Sequence, residues 1–302
     1  MTAREPDQGL AVGLVLAFFG AIAFSGKAII VKLAYRYGVD AVTLLMYRML
    51  FALPIFVLMA WWAGRGQPPL TGRDWLGVGG LGFIGYYFSS FLDFVGLQYI
   101  TASLERLILY LNPTMVMLLG WLLYRRRIHR LHVAGIALSY CGVLLVLGRE
   151  LRFEGGQVAL GAALVFASTI TYALYMVYSG ELVRRLGSLR LVGLATAVAS
   201  VFVILQFLAL RPIDVALNVA PQVLWLSVAN ATLCTALPVL LVMMAIERIG
   251  PALSAQAGMV GPVSTIIMGA LILDEPFTAW IAAGTALVIA GIYVFSRAGR
   301  TS

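Results

Sequence analysis

A chain of 302 residues that is 62% hydrophobic and 11% charged, with a mean hydropathy of +0.96, has too little polar surface to cover a water-soluble globule. A bilayer must be its solvent. The net charge of +8 is carried mainly by arginines in short loops between apolar runs, which reads as a topology signal and not as a nucleic-acid surface.

Met1 to Gln8 carries one arginine and two acids before an apolar run from Leu10 to Ala34, far longer than a signal-peptide core, which reads as a retained first span. Crossing about 30 Å of hydrocarbon takes about 20 apolar residues as a helix. Such runs follow at Val42 to Trp62, Trp75 to Val95, Thr101 to Tyr124 and Leu131 to Leu147, then at Gln157 to Gly180, Leu191 to Leu210, Val223 to Ile246, Ala252 to Leu273 and Trp280 to Ser296. The expected fold is therefore an all-α integral membrane protein of ten transmembrane helices. Trp61, Trp62, Trp75 and Trp280 stand at span ends, as interfacial anchors do. Cys141 and Cys234 lie inside apolar runs and read as packing residues, with no disulfide framework.

A gapless shift of 149 residues lays Gly96–Gly148 over Ala245–Arg297, pairing Pro113 with Pro262, Gly120 with Gly269, Gly135 with Gly284 and Gly142 with Gly291. The chain divides into two halves, 1–149 with spans 1 to 5 and 150–302 with spans 6 to 10. An odd number of spans per half makes the repeat inverted, around a central cavity. With both termini cytoplasmic, the inner segments hold 13 of the 21 Lys and Arg residues and the outer segments 5, the bias expected of an inner (plasma) membrane protein. Arg125–Arg130, with four arginines, aligns with Asp274–Ala279, whose charges are two acids, as equivalent loops on opposite sides should diverge.

Span 9 into span 10, MVGPVSTIIMGALILDEPFTAWIAAGTALVIAGIYVFS from Met259 to Ser296, resembles the closing signature of EamA-domain transporters of the drug/metabolite transporter superfamily. Asn112 to Val146 resembles the same signature in the first half, and Arg48 in MYRML resembles an arginine that the family often carries in span 2. The resemblance covers essentially the whole chain and implies a ten-span exporter of a small metabolite, similar to the family's amino acid exporters. Two departures stand out: Arg125 and Arg126 where the first repeat usually has Gly-Glu, and Glu105–Arg106 where small residues are commoner.

Ionisable groups inside a bilayer cost about 2.5–3.5 kcal/mol each on insertion scales, so those retained face a cavity and pair. Lys27 stands 17 residues past Leu10, about 25 Å along the helix. Arg48, Asp93, Glu105 and Arg106 also fall in the outer halves of their spans. One ionic cluster is inferred, with Lys27, Glu105 and Arg106 as substrate contacts and Asp93 as a coupling or gating group. Arg48 reads as a helix anchor. The cluster sums to three cations and two anions, which leaves one cation to attract a carboxylate. Pro113 and Pro262 interrupt aligned spans and free backbone carbonyls near the midplane, as gating elements would. Asn112, on the Glu105 face, and Tyr86, Tyr110, Tyr175, Asn230 and Gln256 complete the candidate substrate-binding set. The structural alternative for these residues is a salt-bridge network pinning spans 1 to 4, with the tyrosines as packing.

No His-Glu-x-x-His and no Gly-rich phosphate loop is present, and His129 and His132 fall in or beside the basic inner loop. No enzyme activity, cofactor or metal is expected. The expected partners are a small-molecule substrate and the lipid bilayer, with no nucleic acid, the chain being a monomer or weak dimer. Secondary transport by alternating access leads; a passive channel or uniporter, and a membrane enzyme or lipid-handling protein using the same cavity, remain as alternatives.

Overall fold

The computed structural model describes residues 6–124, 130–154, 157–258 and 260–298, and among them every regular element is helical. In chain order these are α1 (Pro6–Tyr35), α2 (Ala41–Gly64), α3 (Gly72–Leu81), α4 (Ser89–Gly96), α5 (Ala102–Leu109), α6 (Asn112–Tyr124), α7 (Arg130–Glu154), α8 (Gln157–Leu186) and α9 (Ser188–Leu210). The short α10 (Ile213–Leu217) precedes α11 (Pro221–Ala231), α12 (Leu237–Ala257), α13 (Val260–Ile272) and α14 (Ala279–Ala298). Wide π-turns, Gly82–Phe88 and Thr232–Ala236, join α3 to α4 and α11 to α12 without ending the helical rod.

Counting such joined segments together, eight helices are long and apolar enough to cross a membrane: Leu10–Tyr35, Ala41–Gly64, Gly72–Gly96, Ala102–Leu123, His132–Leu151, Gln157–Leu186, Ser188–Leu210 and Pro221–Ile249. Val260–Ile272 and Ala279–Val294 are shorter apolar helices. The spans read from the sequence fall on these ten segments. The difference is greatest at α12, which runs to Ala257, eleven residues beyond Ile246, so that the run read from Ala252 divides between α12 and α13. Helix α8 runs six residues beyond Gly180 and carries Arg184 and Arg185 in its last turn. Basic side chains suit the carbonyl end of a helix, so the apolar run stops before the helix does.

Local chemistry explains the starts. Asp40 caps α2 by accepting from the Val42 and Thr43 amides, and Thr71 and Asp74 form a reciprocal capping box at α3. Gly38 and Gly66, at φ of 75° and 72°, make the turns that precede these helices. Pro113 lies in the first turn of α6 and Pro262 in the first turn of α13, where a missing amide costs least.

Packing pairs α1 with α12, α2 with α9, α4 with α8, and α7 with α14. Small residues set the closest crossings. A Cβ on Gly142 would lie 2.5 Å from the Gly284 carbonyl oxygen, and one on Gly291 would lie 2.6 Å from that of Gly135, so α7 and α14 run antiparallel with backbones touching. Along α1, Gly13, Gly20 and Gly26 meet Ile249, Val242 and Cys234 in the same antiparallel sense. Cys234 is buried there, whereas Cys141 is exposed; both are free thiols. Trp61, Trp62, Trp75 and Trp280 project outward.

Gly142→Ala should lower the melting temperature of the purified protein, since overpacking of this kind costs about 1–3 kcal/mol. Gly148→Ala, with nothing within 4 Å of the new methyl, should not. Equal melting curves for the two variants would contradict the close crossing.

Candidate functional site

The buried charge lies where α1, α4 and α5 converge. Lys27 Nζ sits 2.5 Å from Asp93 Oδ2, to which it donates a hydrogen bond, and 3.0 Å from Glu105 Oε1. The contact with Glu105 is an ion pair outside hydrogen-bond geometry, and neither Glu105 oxygen accepts a hydrogen bond among the described residues. Glu105 is fully buried at 0% exposure, and Lys27, Asp93 and Arg106 are nearly so. Two carboxylates thus share one ammonium in a region from which water is excluded, where a charge pair interacts several-fold more strongly than at a surface.

Arg106 points differently. Its terminal nitrogen donates to Ser25 Oγ at 2.7 Å, and its guanidinium lies 5.3 Å from the Phe24 ring centroid and 5.6 Å from that of Tyr110. Ser25 in turn donates to the Ala21 and Gly261 carbonyls, and Tyr110 donates to the Gly258 carbonyl at 2.7 Å. These bonds join α1 and α5 to the start of α13, where Pro262 lies. Arg48 donates from Nε to Thr235 Oγ1 at 3.2 Å and lies over the Phe94 ring at 5.2 Å. Thr235 donates to the Asn230 carbonyl, while both polar atoms of the buried Asn230 amide have no hydrogen-bond partner among the described residues.

Of the residues proposed from the sequence, Lys27, Asp93, Glu105, Arg106 and Tyr110 are therefore brought to one region, and Asn230 to the neighbouring Arg48–Thr235 contact. Tyr86 and Tyr175 are not part of it. Their hydroxyls meet at 3.3 Å, and with Tyr172 they form an aromatic cluster against Val78, Leu81, Leu186 and Leu191. Gly85 lets α8 approach so closely that a Cβ there would strike the Tyr175 ring. The placement of Asn112 directly below Glu105 also needs correction, because it assumed a continuous helix. The chain breaks at Tyr110 and Leu111, with i→i−3 bonds from Leu111 to Ile108 and from Thr114 to Leu111, so α5 and α6 do not share one helical register. The side chain of Gln256 lies outside the described residues.

A cleft of about 700 Å³ opens at the end of the bundle marked by Asp40, lined by Lys32, Tyr35, Arg36, Asp40, Thr101 and Glu275 among others. None of the residues proposed as the site lines it. Residues outside that proposed set hold its walls instead. Lys32 donates to the Leu97 and Ile100 carbonyls, Arg36 to the Leu273 carbonyl, and Tyr35 to the Phe94 carbonyl at 2.6 Å. Glu275 accepts from the Ala102 and Ser103 amides at 2.7 and 3.2 Å and from the Ser103 hydroxyl at 2.7 Å. Thr101 caps α5 through Leu104 and donates to Glu150 at 2.5 Å. Glu105 follows Thr101 by four residues, so the ionic cluster begins one helical turn beneath the cleft floor.

The sequence profile of the EamA-like transporter family matches residues 11–148 and again 159–297. The chain belongs to the EamA-like transporter family. It is thus a multi-pass membrane transporter of that type. The chain is similar to the uncharacterized transporter YcbK of Bacillus subtilis, with 30% identity over 88% of this chain and 86% of the relative. An uncharacterized transporter of Archaeoglobus fulgidus is 24% identical over 90% of this chain and 92% of its own length, and YetK of Bacillus subtilis is 25% identical over 94% and 86%. A solved crystal structure superposes at a TM-score of 0.64 with 19% identity over 96% of this chain and 98% of its own, which shows a shared fold.

For this EamA-like transporter, Lys27→Met alone should leave two uncompensated buried carboxylates and cost about 3–5 kcal/mol. The triple variant Lys27→Met, Asp93→Asn, Glu105→Gln should recover folding, as measured by thermal unfolding of the purified protein. A single variant as stable as the wild type would refute the shared-ammonium arrangement.

At the cleft mouth, burial pushes the Asp40 carboxyl up, but the Thr43 hydroxyl, Arg211 at 3.3 Å and the Thr43 amide outweigh it and hold the group below the ordinary carboxylate range. A depressed folded-state value stabilises above the unfolded value and is lost as pH falls through the folded one. Asp40→Asn should therefore melt lower than the wild type at neutral pH, and the gap should close as the medium is acidified below the ordinary carboxylate range. A gap that persists at low pH would assign the effect elsewhere.

Proposed function

We propose that the chain is a ten-span secondary transporter that exports a small polar metabolite, amino-acid-like in its charges, by alternating access between two inverted halves. The observation that carries this reading is the buried cluster itself: Lys27 shared by Asp93 and Glu105, with Arg106 alongside. Such a group is costly in hydrocarbon and poorly satisfied, and cations beside a carboxylate with no hydrogen-bond donor among the described residues suit a ligand bearing both charges. The carboxylate of a substrate would compete for Arg106 or Lys27, and its ammonium for Glu105. Asn230 would supply further hydrogen bonds from the Arg48 side.

Three observations support two related halves, 1–149 and 150–302, in inverted orientation. The family profile matches once in each. Carrying the 149-residue offset back through span 3 lays the π-turn Gly82–Phe88 on residues 231–237, where the second π-turn, Thr232–Ala236, occurs. The contact of Gly142 with Gly284 maps under the same offset onto that of Gly291 with Gly135, the reciprocity expected of a two-fold axis in the membrane plane. Pro113 and Pro262, each in the first turn of a helix that follows a break, are the matched positions about which such halves would rock. The arginine bias supports cytoplasmic termini in an inner membrane, with the Asp40 end outside.

In proteoliposomes, uptake of amino acids should saturate and show counterflow, which an open pore would not. Glu105→Gln and Arg106→Ala should each lower kcat/KM at least about tenfold while leaving folding intact. Unchanged transport in both variants would remove the site.

A further inference from the structure

We infer that Glu275 is a one-sided latch: its carboxylate holds the Asp40 end of the transporter shut by capping α5, and the aligned position in the other half of the sequence is an arginine. This rests on the alternating-access reading above.

The latch is built from several parts. α13 ends where both the Leu273 and Glu275 amides bond to the Gly269 carbonyl, and Asp274 turns the chain back at a φ of 60°. Gly269 leaves room for the returning carboxylate, since a Cβ there would lie 2.8 Å from Glu275 Oε2 and 3.4 Å from Ser103 Oγ. The carboxylate then takes the first two amides of α5 and the Ser103 hydroxyl, meeting the positive end of the α5 dipole with an anion. These bonds span 172 and 173 residues and tie the second half of the chain to the first, at the cleft floor one turn above Glu105.

The aligned positions in the other half lack the carboxylate, one of the two amide donors and the hydroxyl. Glu275 aligns with Arg126, which offers no acceptor; Ala102 aligns with Pro251, which has no amide hydrogen; Ser103 aligns with Ala252, which has no hydroxyl. The two ends of a pseudo-symmetric carrier would otherwise be held by equivalent contacts, and equal hold gives no preference between conformations. Loss of the acceptor and of two of its three donors on one side gives the closed Asp40 end a lead of roughly one charge-assisted helix cap. The resting transporter therefore favours closure at the Asp40 end, and the substrate must draw Glu275 off α5 for passage there.

The test uses full-length protein without its native thiols (Cys141→Ser, Cys234→Ala) and one reporter at a time on α1, Ala28→Cys or Ala17→Cys, both buried. Ala28 belongs to the same buried cluster as Ala102, beneath the latch, and Ala17 lies in the opposite half of α1. Glu275→Gln should raise the rate of maleimide labelling at position 28 by about five- to tenfold and lower it at position 17, with Glu275→Asp intermediate. Faster labelling at both positions would mean simple loss of packing, and no change at either would mean no latch; both overturn the proposal. Transport in the proteoliposome assay separates this from the functional reading: a carrier that transports but shows no reciprocal labelling lacks the latch yet remains a carrier.

Discussion

An ammonium placed between two carboxylates inside an oily body constrains everything near it. Lys27 can remain charged there only with Asp93 and Glu105 at 2.5 and 3.0 Å, so α1, α4 and α5 must converge at that depth. Hydrocarbon side chains alone would not select that convergence, because lipid tails solvate them as well as protein does. The cluster thereby supplies positional specificity as well as a site: a helix that slides or rotates exposes an unpaired charge to a medium that cannot solvate it. Arg106 and Arg48 extend the effect to α13 through Ser25 and Gly261, and to the π-turn of α11 and α12 through Thr235.

The second organising feature is the treatment of helix ends within the bundle. A broken span leaves amides and carbonyls that lipid cannot satisfy. Here the ends nearest the cleft are met by side chains of the sign that each end requires. Lys32 serves carbonyls that follow α4, Arg36 serves a carbonyl that follows α13, and Glu275 serves the amides that begin α5. One set of interactions thus satisfies the backbone, seals the floor of the cleft and joins the two halves. A conformational change at this end would have to exchange these bonds together, a condition for a two-state transition and not a gradual opening.

Regularity and interruption divide the labour along each span. The glycine crossings of α7 and α14 bring backbones into contact and leave no room for a ligand between them. The interrupted spans, with breaks at Tyr110–Leu111 and at the two π-turns, are those that carry Glu105, Arg106, Asp93 and Asn230. Tyr86, Tyr172 and Tyr175 show the contrast: they look like binding residues by type, yet a glycine at position 85 draws them into a packed aromatic cluster.

What the amino-acid sequence by itself determined was the set of apolar helical segments, the internal offset of 149 residues and the short roster of intramembrane charges. These are legible because bilayer thickness, backbone hydrogen bonding and the cost of burying charge act on local stretches of chain. Which charges meet, and which are spent on structure, was decided by the tertiary fold. Lys27 and Glu105 are 78 positions apart, and only the crossing of α1 with α5 brings them together. Glu275 read as one acid in a loop, although its alignment with Arg126 already marked the position as unequal between halves. Its partners, the Ala102 and Ser103 amides, are backbone groups that every sequence contains, so no residue type announces them. The placement of Asn112 on the Glu105 face met a related limit: a side chain's direction depends on unbroken helical phase, and the interruption before Pro113 resets that phase by an amount only three-dimensional packing specifies.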